Sequence, residues 1–275
     1  MSFSVNTNVG AMIALENLAQ TQNQLQTVQQ QINTGLKVSS AKDDASTWAI
    51  AQNQRAQVQS LDSVVGSLNR SSSSVDVAIS AGTSISNLLT EMKSKALAAS
   101  DQGLDNTSRQ ALNNQFQSLR DQITTIVSNA DFNGTNMIKS GGTTLYALAN
   151  ADGSSKITVA AQDLSLGGAN VTVTSTATIG TATTASTMIG TLQTSINNVS
   201  ASLAKLGTGS TALSNHATFI SNLQDTLNQG IGNLVDANLA KDSATLQALQ
   251  TKQSLGIQAL SIANSSTSSL LGLFR

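Results

Sequence analysis

The stretch that decides the fold is LQTSINNVSASLAKLGTGSTALSNHATFISNLQDTLNQGIGNL, residues 192–234. Leu192, Val199, Leu206, Leu213, Ile220, Leu227 and Leu234 stand seven apart. Six successive heptad steps are hard to obtain by chance, and they predict a coiled-coil helix. Ile189, Ile196 and Leu203 form a second row, which fades into Ser210 and Ala217. Gly207 and Gly209 interrupt the pattern, and glycine costs a helix interior about 1 kcal/mol relative to alanine. His216, the single histidine, flanks the seam, where a structural or solvated role is expected.

The same spacing recurs toward both chain ends. Ala11, Leu18, Leu25 and Ile32 step by seven, with Ala14, Thr21 and Val28 between them, on an otherwise Gln-rich helix that Gly35 stops. A second helix is expected from about 41 to 100, carrying Val58, Leu61, Val65, Leu68, Val75, Ile79, Ile85, Leu89, Met92 and Ala96. Gly66 and Gly82 lie inside it and are tolerated where a neighbour packs closely. Leu112, Phe116, Leu119, Ile123 and Ile126 mark a third helix. A last helical segment spans roughly 232 to 264, with Leu239, Leu246, Leu249, Leu255, Ile257 and Leu260, and the chain ends with LLGLFR.

The middle differs. Asp131-Phe132-Asn133-Gly134 is turn chemistry, Asp152-Gly153 is a hairpin signal, and Ile157 and Val159 alternate. A small β region is expected from about 131 to 180, followed by a flexible hydroxyl-rich stretch. The fold class is therefore mainly α, with long antiparallel coiled-coil helices from both chain ends and a small β-hairpin region in the middle. Packing N-terminal against C-terminal helices buries the partial seams and places the β region at the tip of a rod. Two domains are expected: a terminal helical domain of 1–40 with 235–275, and a rod domain of 41–234.

Composition agrees with long helices. Of 275 residues none is proline, where roughly 5% usage would give about a dozen. Proline breaks helix interiors. Charged residues are 11% against an average of roughly 25%, and aromatics are 3%, so large anchors for a compact core are few. With 14 Lys and Arg against 15 Asp and Glu, nothing points to nucleic acid. No run of 18 apolar residues supports membrane insertion. The N-terminus lacks the basic and apolar regions of a secretory signal.

An enzyme reading lacks a constellation. No cysteine and one histidine leave no zinc or thiol chemistry. No G-x-S-x-G or phosphate loop is present. No catalytic residue, metal site or cofactor is expected. The adjacent acids Asp43 and Asp44 follow Ser40 in the capping pattern [ST]-x-x-[DE]. They are read as the start of the second helix, with Ser40 as its cap and Trp48, the lone tryptophan, packed nearby against a helix or subunit.

The residues also match a family. Val5-Asn6-Thr7-Asn8, Ala14 to Leu18, Asn33 through Ala45, and Ala49-Ile50-Ala51 resemble the N-terminal signature of bacterial flagellins. Asp131 to Gly134 resembles that family's turn before its first hairpin. Leu239 to Lys241, Gln253 to Leu255, Gln258 to Leu260, Ala263-Asn264 and Leu270-Leu271 resemble its C-terminus. The resemblance covers roughly 1–140 and 187–275. It implies a short flagellin without large outer domains, a subunit that polymerises into the bacterial flagellar filament used for swimming. Implied partners are other copies of itself, the flagellar export apparatus and export chaperone, and the filament cap and hook–filament junction proteins. The implied location is extracellular, reached without a cleaved signal peptide. Ser46-Thr47-Trp48 departs from the family, where small residues are common.

On this reading Leu15, Leu18, Leu25, Val28, Ile32, Leu249, Leu255, Leu260, Leu270 and Leu271 pack the terminal domain and drive polymerisation. Leu61, Leu68, Val75, Leu192, Val199, Leu206, Leu213, Ile220 and Leu227 form the rod-domain seam. Ser40, Asp43, Asp44 and Trp48 mark the domain junction. Ser175, Thr176, Thr178 and Thr181 are candidate glycosylation positions. Three alternatives stand beside it: a hook–filament junction protein, a signalling coiled-coil hairpin of the chemoreceptor type, and, last, an enzyme.

Overall fold

A computed structural model describes residues 7–272, with side chains through residue 265. Five helices and one hairpin follow in the order α1 (Val9–Thr34), α2 (Ala45–Ala99), α3 (Asn106–Asn129), β1 (Leu145–Leu148), β2 (Lys156–Val159), α4 (Ala182–Val235) and α5 (Leu239–Gly272). The contacts divide the chain into two compact units, Met1–Ala56 with Thr226–Arg275, and Gln57–Asp225. The boundaries fall inside α2 and α4, away from the helix breaks near residues 35 and 235.

In the 57–225 unit the seam is buried. Leu61, Leu68 and Val75 of α2, and Leu192, Val199, Leu206, Leu213 and Ile220 of α4, are each at most 2% exposed. Leu227, in the other unit, is half-buried. The two helices run antiparallel: Gln224 donates to the Val58 carbonyl at 3.4 Å and to Asp62 at 2.7 Å, and the Lys93 ammonium reaches Gln193. Between those points the helices pack closely. A Cβ on Gly82 would lie 2.8 Å from Leu203 Cδ2 and 3.2 Å from Leu164 Cδ1, so the glycine expected to mark close packing does so.

The second row on α4 is not the expected one. Ile189, Ile196 and Leu203 are only half-buried, while Ser195 and Ser202 are buried. The segment 171–173 explains the burial of Ser195. Val171 and Val173 are fully buried, Thr172 N donates to Ser195 Oγ at 3.0 Å, and Ser195 Oγ donates to the Thr191 carbonyl at 2.9 Å. A serine that bonds back to its own helix leaves room for an incoming loop.

The third helix docks through polar clamps. Asp105 caps α3 by accepting from Thr107 N and Ser108 N. The Arg109 guanidinium, 6% exposed, donates to the carbonyls of Ala99, Asp101 and Leu104. It thereby satisfies the last carbonyl of α2 and two carbonyls of the loop that follows it. Asn113 Oδ1 accepts from Ile179 N at 2.8 Å, and Arg120 donates to the Ala177 carbonyl at 2.9 Å. Ala177 and Ile179 are buried. The hydroxyl-rich stretch expected to be flexible is thus tied to α3, and from Ala182 it is helical, with Thr181 Oγ1 accepting from Thr184 N.

The β content is smaller than the 131–180 span expected. β1 and β2 pair antiparallel, Leu145 opposite Val159 and Leu148 opposite Lys156, with Gly153 in the left-handed region at φ 73°. Asn133 and Gly134, at φ 51° and 80°, make a tight turn closed by Phe132 and Thr135. That is the Asn-Gly turn favoured in hairpins. The hairpin packs on the sides of the long helices rather than beyond their ends. Leu148 N donates to Ser67 Oγ, Val159 fills the space over Gly209, and His216 Nε2 bonds the Ala149 carbonyl at 2.7 Å. So His216 and Gly209, read from sequence as a flanking residue and an interruption, are where α4 receives the hairpin.

Candidate functional site

The other unit is built on one helix pair. α1 and α5 run antiparallel, since Asn8 Nδ2 donates to the Ala263 carbonyl at 2.8 Å and a Cβ on Gly256 would lie 3.3 Å from Leu18 Cδ1. Each helix has a defined start. Asn8 Oδ1 accepts from Ala11 N, and Asn238 Oδ1 accepts from Lys241 N. α1 ends at Gly35, whose φ of 71° gives the left-handed cap, with its N–H on the Gln31 carbonyl.

Past that cap the chain is clasped to the end of α4. Lys37 N and Val38 N donate to the Val235 carbonyl at 2.7 and 3.2 Å, Ala237 N donates to the Gly35 carbonyl at 2.9 Å, and Leu36 pairs with Asp236. Val38 and Val235 are buried beside it.

The acids come next, and the helix starts later than expected. α2 begins at Ala45, and its cap is Asp44, not Ser40. Asp44 Oδ1 accepts from Ser46 N at 3.0 Å, Thr47 N at 3.1 Å and the Ser46 hydroxyl at 2.7 Å, and Asp44 Oδ2 accepts from the Thr47 hydroxyl at 2.7 Å. The Thr47 hydroxyl, above all, holds the Asp44 carboxyl far below the usual carboxylate range. Asp43 does not reach into the first turn of α2. Its Oδ2 gathers the N–H groups and hydroxyls of Ser39 and Ser40 at 2.9 to 3.2 Å, and the Ser39 hydroxyl leads in lowering its pKa. Ser40 Oγ accepts from Lys42 N in a tight turn before the helix. The physical reason is competition: with two serines behind Asp43 and a serine and threonine ahead of Asp44, each carboxylate takes the nearest donors. All four residues singled out here, including half-buried Trp48, belong to the unit containing α1.

Of the residues read as terminal-domain packing, Val28 and Leu249 are buried, and Leu18, Leu25, Ile32 and Leu260 are half-buried. Leu15 and Leu255 are 59% and 58% exposed, and Leu270 and Leu271 lie beyond the described side chains. Val9, Met12, Ile13, Ile257 and Ile262 are also exposed. Sequence reading counted Ile257 in the last helical pattern but passed over the other four, which lie off the heptad rows. Val9, Met12 and Ile13 have 3-4 spacing of their own, and that second stripe was the signal.

Ser175, Thr176, Thr178 and Thr181 are exposed. Among the described residues no group of three or more metal-ligand side chains exists, and no helix is long and apolar enough to cross a membrane.

Comparison with known proteins places these features. Residues 5–144 match the model of the bacterial flagellin N-terminal helical region, and residues 189–274 that of the C-terminal helical region. Flagellin FljM of Caulobacter vibrioides is 55% identical over 272 residues, covering 99% of this chain and 98% of that one. A flagellin of Brucella melitensis is 36% identical, covering 99% of each chain. The crystal structure of Bacillus cereus flagellin aligns with a TM-score of 0.48 at 23% identity, over 55% of this chain and 86% of that one.

Proposed function

The chain belongs to the bacterial flagellin family and is a structural subunit of the extracellular flagellar filament; from that premise we propose that its two units divide the work of assembly. The relatives that span the whole chain are flagellins, so a hook–filament junction role is not favoured.

In the proposed division, the unit of 1–56 and 226–275 supplies the cohesive surface and the 57–225 unit supplies a folded body. The observation that carries this reading is the exposure of Leu15 and Leu255 in a helix pair that leaves Val9, Met12, Ile13, Ile257 and Ile262 in water as well. Exposed apolar patches of this kind mark interaction surfaces. In a polymer the partner is the next copy. Alone, α1 and α5 bury little against an ordering cost of about 1–2 kcal/mol per residue. They therefore gain most of their stability on polymerisation, by mass action.

The test is electron microscopy of the purified chain at high concentration. Helical filaments that dissociate on heating or in acid are expected. A chain lacking residues 239–275 should leave the 57–225 unit folded and form none. Normal filaments from that truncation overturn the division of labour.

The finer partners belong to the same proposal. The export apparatus, an export chaperone, the filament cap and junction proteins are those the family membership implies, with export occurring without a cleaved signal peptide. Sugar attachment is proposed at Ser175, Thr176 and Thr178. The Thr181 hydroxyl is engaged with Thr184 at 3.0 Å and is the weakest acceptor of the four. Intact-mass measurement of filaments from the native source checks this, and an unmodified mass rules it out.

A further inference from the structure

The 57–225 unit carries the one Asn-Gly pair of the sequence, Asn133-Gly134, and its one Asp-Gly pair, Asp152-Gly153. At such pairs a polypeptide can modify itself. The glycine's backbone nitrogen attacks the side-chain carbonyl carbon of the residue before it, and the missing Cβ lets it approach. At Asn133 the bond from Gly134 N to Asn133 Cγ forms while the bond from Cγ to Nδ2 breaks. Ammonia leaves with the proton that Gly134 N gives up. Water then opens the cyclic imide to aspartate or to isoaspartate, which routes the chain through the side-chain carbons and adds a methylene to the backbone.

The Asn133 side chain is open to this reaction: it is exposed and makes no hydrogen bond among the described residues. What the fold withholds is the nucleophile. Gly134 N donates to Asp131 Oδ1 at 2.8 Å. Asn133 and Gly134 also form the centre of a turn closed in both directions, by Phe132 N on the Thr135 carbonyl and Thr135 N on the Phe132 carbonyl, each at 3.0 Å. To attack, Gly134 N must leave the Asp131 carboxylate, shed its proton and turn toward Asn133 Cγ. A negative carboxylate beside that nitrogen opposes its deprotonation, as like charges do. The turn also seats Asn136, 2% exposed, which donates to the Val127 carbonyl and accepts from Ile138 N and Lys139 N. An extra methylene between Phe132 and Thr135 would disturb the join between α3 and the segment leading to β1. Asp152 is protected in another way. Its Oδ1 accepts from Ser154 N at 3.0 Å and the Ser154 hydroxyl at 2.9 Å, which favours the ionised carboxylate, a poor target for attack. We infer that Asn133 is the deamidation site of this chain and that Asp131 guards it, holding the Gly134 nitrogen so that the reaction is slow in the folded protein and fast in the unfolded one.

The experiment incubates the full chain in mildly alkaline buffer, folded and in denaturant, and follows deamidation and isoaspartate at Asn133 by mass spectrometry of its peptides. The folded parent should react at least about tenfold more slowly than the denatured parent, as expected where a hydrogen bond to a charged group must break first. Folded Asp131→Ala should lose most of that protection. Asp131→Asn, which keeps an acceptor without the charge, should fall between. Asp152 should stay unmodified in the folded chain. If Asp131→Ala lowers the melting temperature, Asp131→Asn and hydrogen exchange of the Gly134 amide decide instead. Faster exchange together with faster deamidation, in a chain that melts as the parent does, supports the guard. A folded parent that reacts as fast as the denatured one overturns the proposal. So does Asp131→Ala at the parent rate or below it; a slower rate would make the carboxylate the base that draws the proton off.

Discussion

The two units use one helical vocabulary and reach opposite ends. In the 57–225 unit the α4 seam from Leu192 to Ile220 is at most 1% exposed, and the exposed large hydrophobics among the described residues are Leu97, Tyr146 and Phe219. In the unit of α1 and α5, only Thr21 and Val28 of α1 are buried, and nine large apolar side chains from Val9 to Ile262 lie in water. The periodicity is similar; what differs is how many partners surround each seam. α4 is covered by α2, by the 171–173 segment and by the hairpin, whereas α1 has α5. A heptad row thus specifies that a face will be covered, and the number of neighbours decides whether the chain covers it alone.

The comparison can be broken at several points. The largest effect should come from Leu206→Ala, fully buried in the α4 seam. We expect a loss of about 2–5 kcal/mol in monomer stability by denaturant titration, the range for core leucine truncation. A loss below about 1 kcal/mol would mean that the 57–225 unit is no better packed than the other.

Leu15→Asp should do the reverse. Assembly should need roughly a hundredfold more protein, as for an interface anchor worth a few kcal/mol, while the monomer melts as before. A lowered melting temperature with normal assembly would place Leu15 in a monomer core.

Hydrogen exchange on monomers should separate the units by orders of magnitude, with α4 between 192 and 220 slow and α1 and α5 fast. Equal protection in all three helices would erase the contrast.

Acid gives a smaller effect. Asp43 and Asp44 are both held below the ordinary carboxylate range. Their contribution to stability is full above the unfolded value of about 4 and is lost as pH falls through the folded values. Between about pH 5 and pH 2 the parent should therefore lose more stability around α2's start than Asp44→Asn does. Trp48, the only tryptophan, reports on that neighbourhood; identical acid profiles for the two proteins would deny the cap a role. The smallest expected signal is a shift of Trp48 fluorescence on polymerisation, and an unchanged spectrum would leave it in one environment throughout.

How much of this was legible follows the range of the interactions. The α4 seam could be read at sight because a period of seven is local. Gly35 as the stop of α1 and Gly82 as a point of close approach were equally readable, since backbone freedom is a property of the residue itself. Asp44 displaced Ser40 as the cap because both have serine or threonine neighbours, and the choice depends on geometries a spacing rule does not rank. The 175–181 segment looked loose because its anchors, Asn113 and Arg120, lie 66 and 57 residues away. Ser195 as a buried position was invisible for the same reason. A serine's role is set by what arrives over it.

The clasp at Leu36 and Asp236 joins positions 200 residues apart, and Asn8 meets Ala263 across 255. Contacts so distant along the chain cannot form until nearly the whole polypeptide is present, whichever end arrives first. The α1 and α5 faces are therefore the last to be completed, while the 57–225 unit can close from its own residues beforehand. Sequence separation acts here as a timer: the α1–α5 pair is finished only when its second helix has joined the first.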